Sequence, residues 1–162
     1  MKQMSKIVRT ITNLVYGFII IFGFYVIVHG HLTPGGGFQG GAIVASAFAL
    51  LLVSYGSLIT KKFLKKEFLS IMENTGLTMF IVLAFLGLGI TFFYNFLANT
   101  GGWFGNTPVI GPNPGDINTG GVIPLMNIAV GLEVLSALGV IVLVMASGAE
   151  FTKKKENSQN DR

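Results

Sequence analysis

The sequence predicts an all-α membrane protein with four transmembrane helices, and three observations lead to that prediction. Of its 162 residues, 51% are hydrophobic and 11% are charged, whereas soluble domains carry about 25% charged residues. The apolar residues fall in four blocks, 10–29, 38–59, 70–98 and 122–148, each long enough for the ~20 residues that cross a bilayer core. Every lysine and arginine lies outside these blocks.

The basic residues indicate the orientation of the helices. All lysines and arginines lie in the segments 2–9, 61–66 and 153–162. Because cytoplasmic loops carry the Lys/Arg excess, we expect both termini and the 60–69 loop to be cytoplasmic, and 29–37 and 99–121 to lie outside. Orientation and attraction to the lipid bilayer explain the net charge of +4, and nothing indicates nucleic-acid binding. We expect one four-helix domain over 1–151 and a polar, disordered cytoplasmic tail over 152–162.

The first block is too long for the apolar region of a signal peptide and lacks a small-x-small cleavage site, so we expect an uncleaved helix. It ends at His29 and His31, the two histidines of the chain, with His29 one turn beyond Tyr25. Histidine changes its charge near neutral pH, so both are candidates for an ion pathway. The alternative is that they are polar residues at the membrane interface.

The chain contains no cysteine, which excludes Cys-held iron–sulfur clusters and Cys-based zinc sites within it. No acidic residue stands close enough in sequence to His29 and His31 to complete a metal site. We therefore expect no catalytic residue, no bound metal and no cofactor in this chain. Any redox chemistry would belong to another subunit.

A glycine-rich motif opens the second helix. Glycine permits positive φ and close backbone approach, and irregular backbone persists at membrane depth only where protein or a water-filled cavity covers it. The motif therefore predicts a partner surface or a polar cavity. It consists of Thr33, Pro34, Gly35, Gly36, Gly37, Phe38, Gln39, Gly40 and Gly41.

Gly37, Gly41, Ala45 and Ala49 follow one another at four-residue spacing. This spacing gives the second helix a stripe of small residues that lets another helix pack closely. The packing partner is either another subunit or a helix of the same chain. The motif is not a nucleotide loop, because no Gly-Lys-Ser/Thr follows it.

The loops carry further signals. The 60–69 segment mixes lysines with apolar residues, which is typical of a short helix in the headgroup layer. Ser70 and Glu73 have the spacing of a capping box, which would begin the third transmembrane helix at Ser70. The 99–121 loop is rich in glycine, proline and asparagine, and its composition predicts a series of turns.

Glu133 lies near the middle of the fourth apolar block. An ionised acid there costs on the order of 3 kcal/mol or more, so we expect it to be neutral, paired or facing water. Ala129, Ser136 and Ala137 share its helix face, which places the carboxyl toward protein. Glu133 is therefore our first candidate for a proton- or cation-exchanging group, and a purely structural acid is the alternative. Glu73 is a second candidate, although the capping box explains it structurally.

The motif from Thr33 to Gly41, together with the Ala42–Ala47 segment after it, resembles the MnhB (MrpB) family of small proteins from the multisubunit Mrp-type Na+/H+ antiporters. The resemblance extends over essentially the whole chain. It implies a small subunit without catalytic machinery in the plasma membrane of a prokaryote, assembled with other antiporter membrane subunits that together exchange Na+ for protons. Archaeal membrane-bound hydrogenase and sulfane reductase complexes contain a similar module, which implies redox subunits as possible partners.

Three hypotheses follow. The chain is a subunit of an ion-translocating antiporter module, or the same subunit within a redox-driven respiratory complex, or a passive four-helix scaffold whose glycines serve assembly. Glu133 argues against the scaffold, because a scaffold does not need an acid in hydrocarbon.

Overall fold

The computed structural model describes residues 3–108 and 116–160 and is helical in five segments of these ranges, with no strand. The helices are α1 (Lys6–Val28), α2 (Gly37–Tyr55), α3 (Ser57–Phe63), α4 (Lys66–Leu86) and α5 (Ile123–Asn160). Four of them are long and apolar enough to cross a membrane, with Ile123–Gly148 as the apolar part of α5. The all-α prediction with four spans is confirmed. Lys2, Arg162 and 109–115 of the predicted outer loop lie outside the described residues.

The long helices pack in the order α1, α2, α5, α4. Thr12 and Ser54 share a buried hydrogen bond of 2.5 Å between their hydroxyl oxygens, while Gly23 lies against Val44, so α1 and α2 run antiparallel. A cluster of apolar side chains from α2, α4 and α5 fills the centre. Its fully packed members are Val44, Phe48, Leu69, Leu135 and Leu143.

The predicted capping box at Ser70 is wrong. α4 begins four residues earlier, at Lys66, after an extended Lys65 (φ −79°, ψ 125°) that makes no side-chain cap. Lys and Glu favour helix, and Glu67 in the first turn interacts favourably with the helix dipole. Ser70 and Glu73 are therefore interior positions of α4, and Glu73 loses the structural explanation that the sequence suggested.

The third apolar block does not remain helical to residue 98, because α4 ends at Leu86. The chain then turns back over Gly87, where Phe93 N donates to Ala84 O at 3.2 Å. A Cβ on Gly87 would lie 2.6 Å from Tyr94 N and 2.8 Å from Tyr94 O. Only glycine permits this fold-back, and hydropathy alone gave no sign of it.

Asparagine side chains hold the described parts of the loop between α4 and α5. Asn95 Nδ2 donates to Gly120 O at 3.0 Å, and Asn95 Oδ1 accepts from Val122 N at 2.8 Å, which fixes the entry to α5. Asn118 Oδ1 accepts from Phe104 N. The described parts of 99–121 are turns, as predicted.

Two shorter segments differ from expectation. The short helix predicted in the 60–69 segment is found as α3, but it begins at Ser57, directly after Gly56 at φ 81°. At the other end, α5 continues as helix to Asn160, so the described residues of the 152–162 tail are helical and not disordered.

Candidate functional site

Glu133 lies at the closest approach of α5 to α4. A Cβ on Gly76 of α4 would lie 2.7 Å from Ala129 O, 2.8 Å from Glu133 N and 3.1 Å from Glu133 Cβ. Leu69 meets Gly139 further along, so the two helices run antiparallel. The absence of a side chain at Gly76 lets the α5 backbone come within van der Waals contact. The Cβ of Glu133 therefore lies against α4, as the small residues on the same helix face predict.

The Glu133 carboxylate has no hydrogen-bond or ion-pair partner among the residues that the structure describes, and its side chain is half-buried. The sequence carries no lysine or arginine between Lys66 and Lys153. α4 beyond its first residue and the membrane-spanning part of α5 therefore supply no cation for it. An acid without a partner inside a membrane-spanning helix is a candidate for ion exchange or for pairing with a group from outside this chain.

Glu73 lies on the same side of α4 as Gly76, one turn closer to the start of the helix. Because Leu69 contacts Gly139 and Gly76 contacts Glu133, Glu73 stands at a level of α5 between those two contacts. It is half-buried. The structure thus brings the two acidic candidates to successive levels of one helix seam.

The glycines of the motif pack against helices of this chain. A Cβ on Gly37 would lie 2.9 Å from Gly131 N, and one on Gly41 would lie 2.9 Å from Gly131 O. Gly40 faces the other way, where a Cβ would meet Gly23 O at 2.7 Å and Ile27 N at 2.8 Å. Hence α2 is wedged between α1 and α5. A partner surface is not needed to explain these contacts, and the second of the two packing alternatives is correct for Gly37 and Gly41.

The other residues of the motif shape the turn before α2. Thr33 Oγ1 donates to His29 O and Gly35 O, each at 3.1 Å. Gln39 Oε1 accepts from Gly36 N at 3.1 Å, so the reciprocal contact of a capping box occurs here. Along the helix, Ala45 is buried and Ala49 is half-buried. Pro34 and Phe38 are exposed and face away from the bundle.

The two histidines are held by different contacts. His29 stacks on Tyr25 with ring centroids 4.0 Å apart, and its Nδ1 lies 3.0 Å from Tyr25 O. His31 Nε2 lies 3.4 Å from Asp116 O, while its Nδ1 is buried without a partner among the described residues. Neither histidine ring contacts Glu133 of α5.

Asn127 was missed by the sequence analysis. A Cβ on Gly30 would lie 2.7 Å from its Nδ2, and one on Gly36 would lie 3.0 Å from its Oδ1, so the glycines before α2 close over this amide. Its Nδ2 is buried and has no partner in the described part of the chain. Its position in an apolar helix is the signal that could have identified it, because polar residues inside membrane-spanning helices are functional candidates, as for Glu133. It precedes Glu133 by about 9 Å along the axis of α5.

The described residues contain no group of three or more His, Asp or Glu that could hold a metal ion. A family model for a domain related to the MnhB subunit of Na+/H+ antiporter matches residues 7–141. The chain belongs to this family.

Individual relatives agree with this assignment. An uncharacterized protein of Methanocaldococcus jannaschii is 36% identical over 87% of this chain and 52% of its own length. A Staphylococcus aureus protein named as a candidate antiporter subunit, mnhB2, is 47% identical over 34% of this chain and 39% of its own length. A chain in the structure of the membrane-bound sulfane sulfur reductase, an archaeal respiratory membrane complex, matches with a TM-score of 0.70.

That solved chain is 31% identical, and the match covers 90% of this chain and 61% of that chain. The present chain spans about half the length of the curated relatives it matches. It is a membrane protein of the MnhB-related family. Its fold is shared with a subunit of a respiratory membrane complex.

Proposed function

We propose that this chain is a non-catalytic membrane subunit of a multisubunit Na+/H+ antiporter module in the prokaryotic plasma membrane. It contributes Glu133 to a proton or cation path that other antiporter subunits complete. The observation that carries the proposal is the MnhB-related family match over 7–141, which includes Glu133 near the middle of a membrane-spanning helix.

Two physical arguments support the role of Glu133. No lysine or arginine at its level of α4 or in the spanning part of α5 offsets its charge, and an unpaired carboxylate in hydrocarbon costs on the order of 3 kcal/mol. A proton, a sodium ion or a cationic group of a partner subunit lowers that cost. The close approach of Gly76 also places the α5 backbone against α4 at this level, so the Glu133 side chain begins at the contact between the two helices.

A second setting is supported by the match to a chain of the sulfane sulfur reductase complex. In that setting the same subunit belongs to a redox-driven complex, and the partners include redox subunits. Purification of the chain from its native membranes separates the two settings. Iron or nickel and redox subunits in the purified complex support the respiratory setting, whereas antiporter subunits alone support the antiporter.

The variant Glu133→Gln tests the ion path. Glutamine keeps the size and the hydrogen-bonding capacity but cannot exchange a proton, so we expect the complex to assemble and to lose most of its Na+-dependent proton exchange. The rate should fall by about tenfold or more, as for other groups that transfer protons. The measurement is proton release from inside-out membrane vesicles on addition of Na+, at several pH values.

Glu67→Gln is the matched control. This substitution makes the same change of charge, but at an exposed position in the first turn of α4. It should leave both assembly and exchange unchanged. A Glu133→Gln complex that exchanges ions at the wild-type rate with the same pH profile would show that the carboxyl is structural.

A further inference from the structure

A partly open cavity of about 470 Å³ lies between α1, the end of α2 and α3. Its volume is within the ~300–1,000 Å³ typical of small-ligand sites. Its interior is mostly apolar, and Leu51 and Ile59 belong to its wall. Arg9 and Asn13 lie at its polar end and also line an adjoining opening that includes Lys6.

Arg9 is incompletely satisfied in this cavity. Its Nη1 donates to Gln3 Oε1 at 2.7 Å, but its Nε is buried and has no partner among the described residues. A guanidinium has five N–H donors and stays charged at any physiological pH. A buried donor without an acceptor is costly, and the cost is larger for a charged group. Arg9 therefore favours an anionic acceptor from outside the chain.

The three helices that form the cavity provide no such acceptor. Residues 1–66 contain neither aspartate nor glutamate, so α1, α2 and α3 contribute basic and neutral side chains alone. Asn13 Oδ1 already accepts from the Tyr55 hydroxyl at 2.6 Å. The cavity thus combines basic side chains with a mostly apolar lining.

We propose that this cavity binds the phosphate headgroup of an anionic phospholipid, with Arg9 and Lys6 on the phosphate and the adjoining acyl carbons against Leu51 and Ile59. A phospholipid joins an anion to a hydrocarbon chain, and basic pockets between transmembrane helices bind such headgroups. The cavity lies beside the N-terminus of the first membrane-spanning helix, so its opening stands at headgroup depth. A free anion would satisfy Arg9 but would leave the apolar interior unfilled.

The test uses the whole complex, purified in mild detergent with the subunits that accompany the chain. Native mass spectrometry measures the binding of added phosphatidylglycerol, and phosphatidylcholine with the same acyl chains serves as the neutral probe. We expect phosphatidylglycerol to bind more tightly, and Arg9→Gln to weaken it by about tenfold, because a charge-assisted hydrogen bond is lost.

Lys62→Gln is the matched control. It removes one positive charge from an exposed position of α3 that does not line the cavity, and it should leave the binding of phosphatidylglycerol unchanged. Leu51→Phe is a second variant, which places a ring at the apolar wall and narrows the cavity while it keeps Arg9. It should also weaken binding, and it provides the test if Arg9→Gln does not accumulate.

Three results would overturn the proposal. They are equal binding of the two phospholipids, wild-type affinity in both Arg9→Gln and Leu51→Phe, and a structure of the complex in which a partner subunit's side chain occupies the cavity.

Discussion

Residues 1–66 and 67–152 differ in the sign of their charge. The first segment has basic side chains and no acidic one, whereas the second has acidic side chains and neither lysine nor arginine. The first segment contains Arg9, whose Nε is buried, and the second contains Glu133, which is half-buried in a membrane-spanning helix. Neither charge finds a counter-ion among the described residues.

The difference indicates how this protein depends on its surroundings. A buried charge without compensation is strongly destabilising. Since the chain compensates neither charge itself, the proposals above assign an anionic lipid to Arg9 and an exchangeable cation to Glu133. The packing of the helices, by contrast, is supplied from within, because Gly37, Gly41 and Gly76 all fit against α5.

The orientation of the two segments in the membrane gives the prediction with the largest effect. The chain has no native cysteine, so single cysteines can be labelled without background. We expect Lys62→Cys to react with an impermeant maleimide only from the cytoplasmic side, and Trp103→Cys, at a position 86% exposed, only from outside. Labelling of both positions from the same side would contradict the orientation.

The second prediction concerns the seam between α2 and α5. Gly37→Leu forces a branched side chain into the backbone of Gly131 and should abolish most of the assembled protein, because overpacking at backbone atoms is not relieved by rotamer changes. Assembly is measured as the amount of complex in size-exclusion chromatography.

Gly17→Leu is the control for this variant, since nothing lies within 4 Å of a Cβ at that helical position. It should assemble normally. If Gly37→Leu assembles as well as Gly17→Leu, the close packing of the motif is not required.

The third and smallest effect concerns the seam between α4 and α5. A Cβ in Gly76→Ala meets Ala129 O and Glu133 N, so the helices must separate slightly, at a cost of about 1–3 kcal/mol. We expect a lower melting temperature of the complex in detergent, and a reduced rate of exchange because Glu133 moves with the α5 backbone.

Gly139→Ala offers a comparison at the same seam. Its Cβ would meet side-chain atoms, of Phe48 at 3.2 Å and Leu69 at 3.3 Å, which can adjust, so the melting temperature should fall less. An equal fall in both variants would mean that the approach at Gly76 is no tighter than elsewhere.

The sequence by itself determined the four spans, because length and hydropathy are local properties. It also determined that an acid stands in the fourth helix, and the motif from Thr33 to Gly41 indicated the MnhB-related family to which the chain belongs. Glu133 and Glu73 were found in this way because acids are rare in apolar helices. These conclusions need no knowledge of which helices touch.

Only the tertiary structure decided the helix partners. It placed Gly37 against α5, Gly76 against Glu133 and Arg9 beside a cavity formed by three helices. It also ended α4 at Leu86, because the chain folds back over Gly87. Such features depend on the fit between residues that are distant in sequence, and a stripe of small residues does not specify the helix that will cover it.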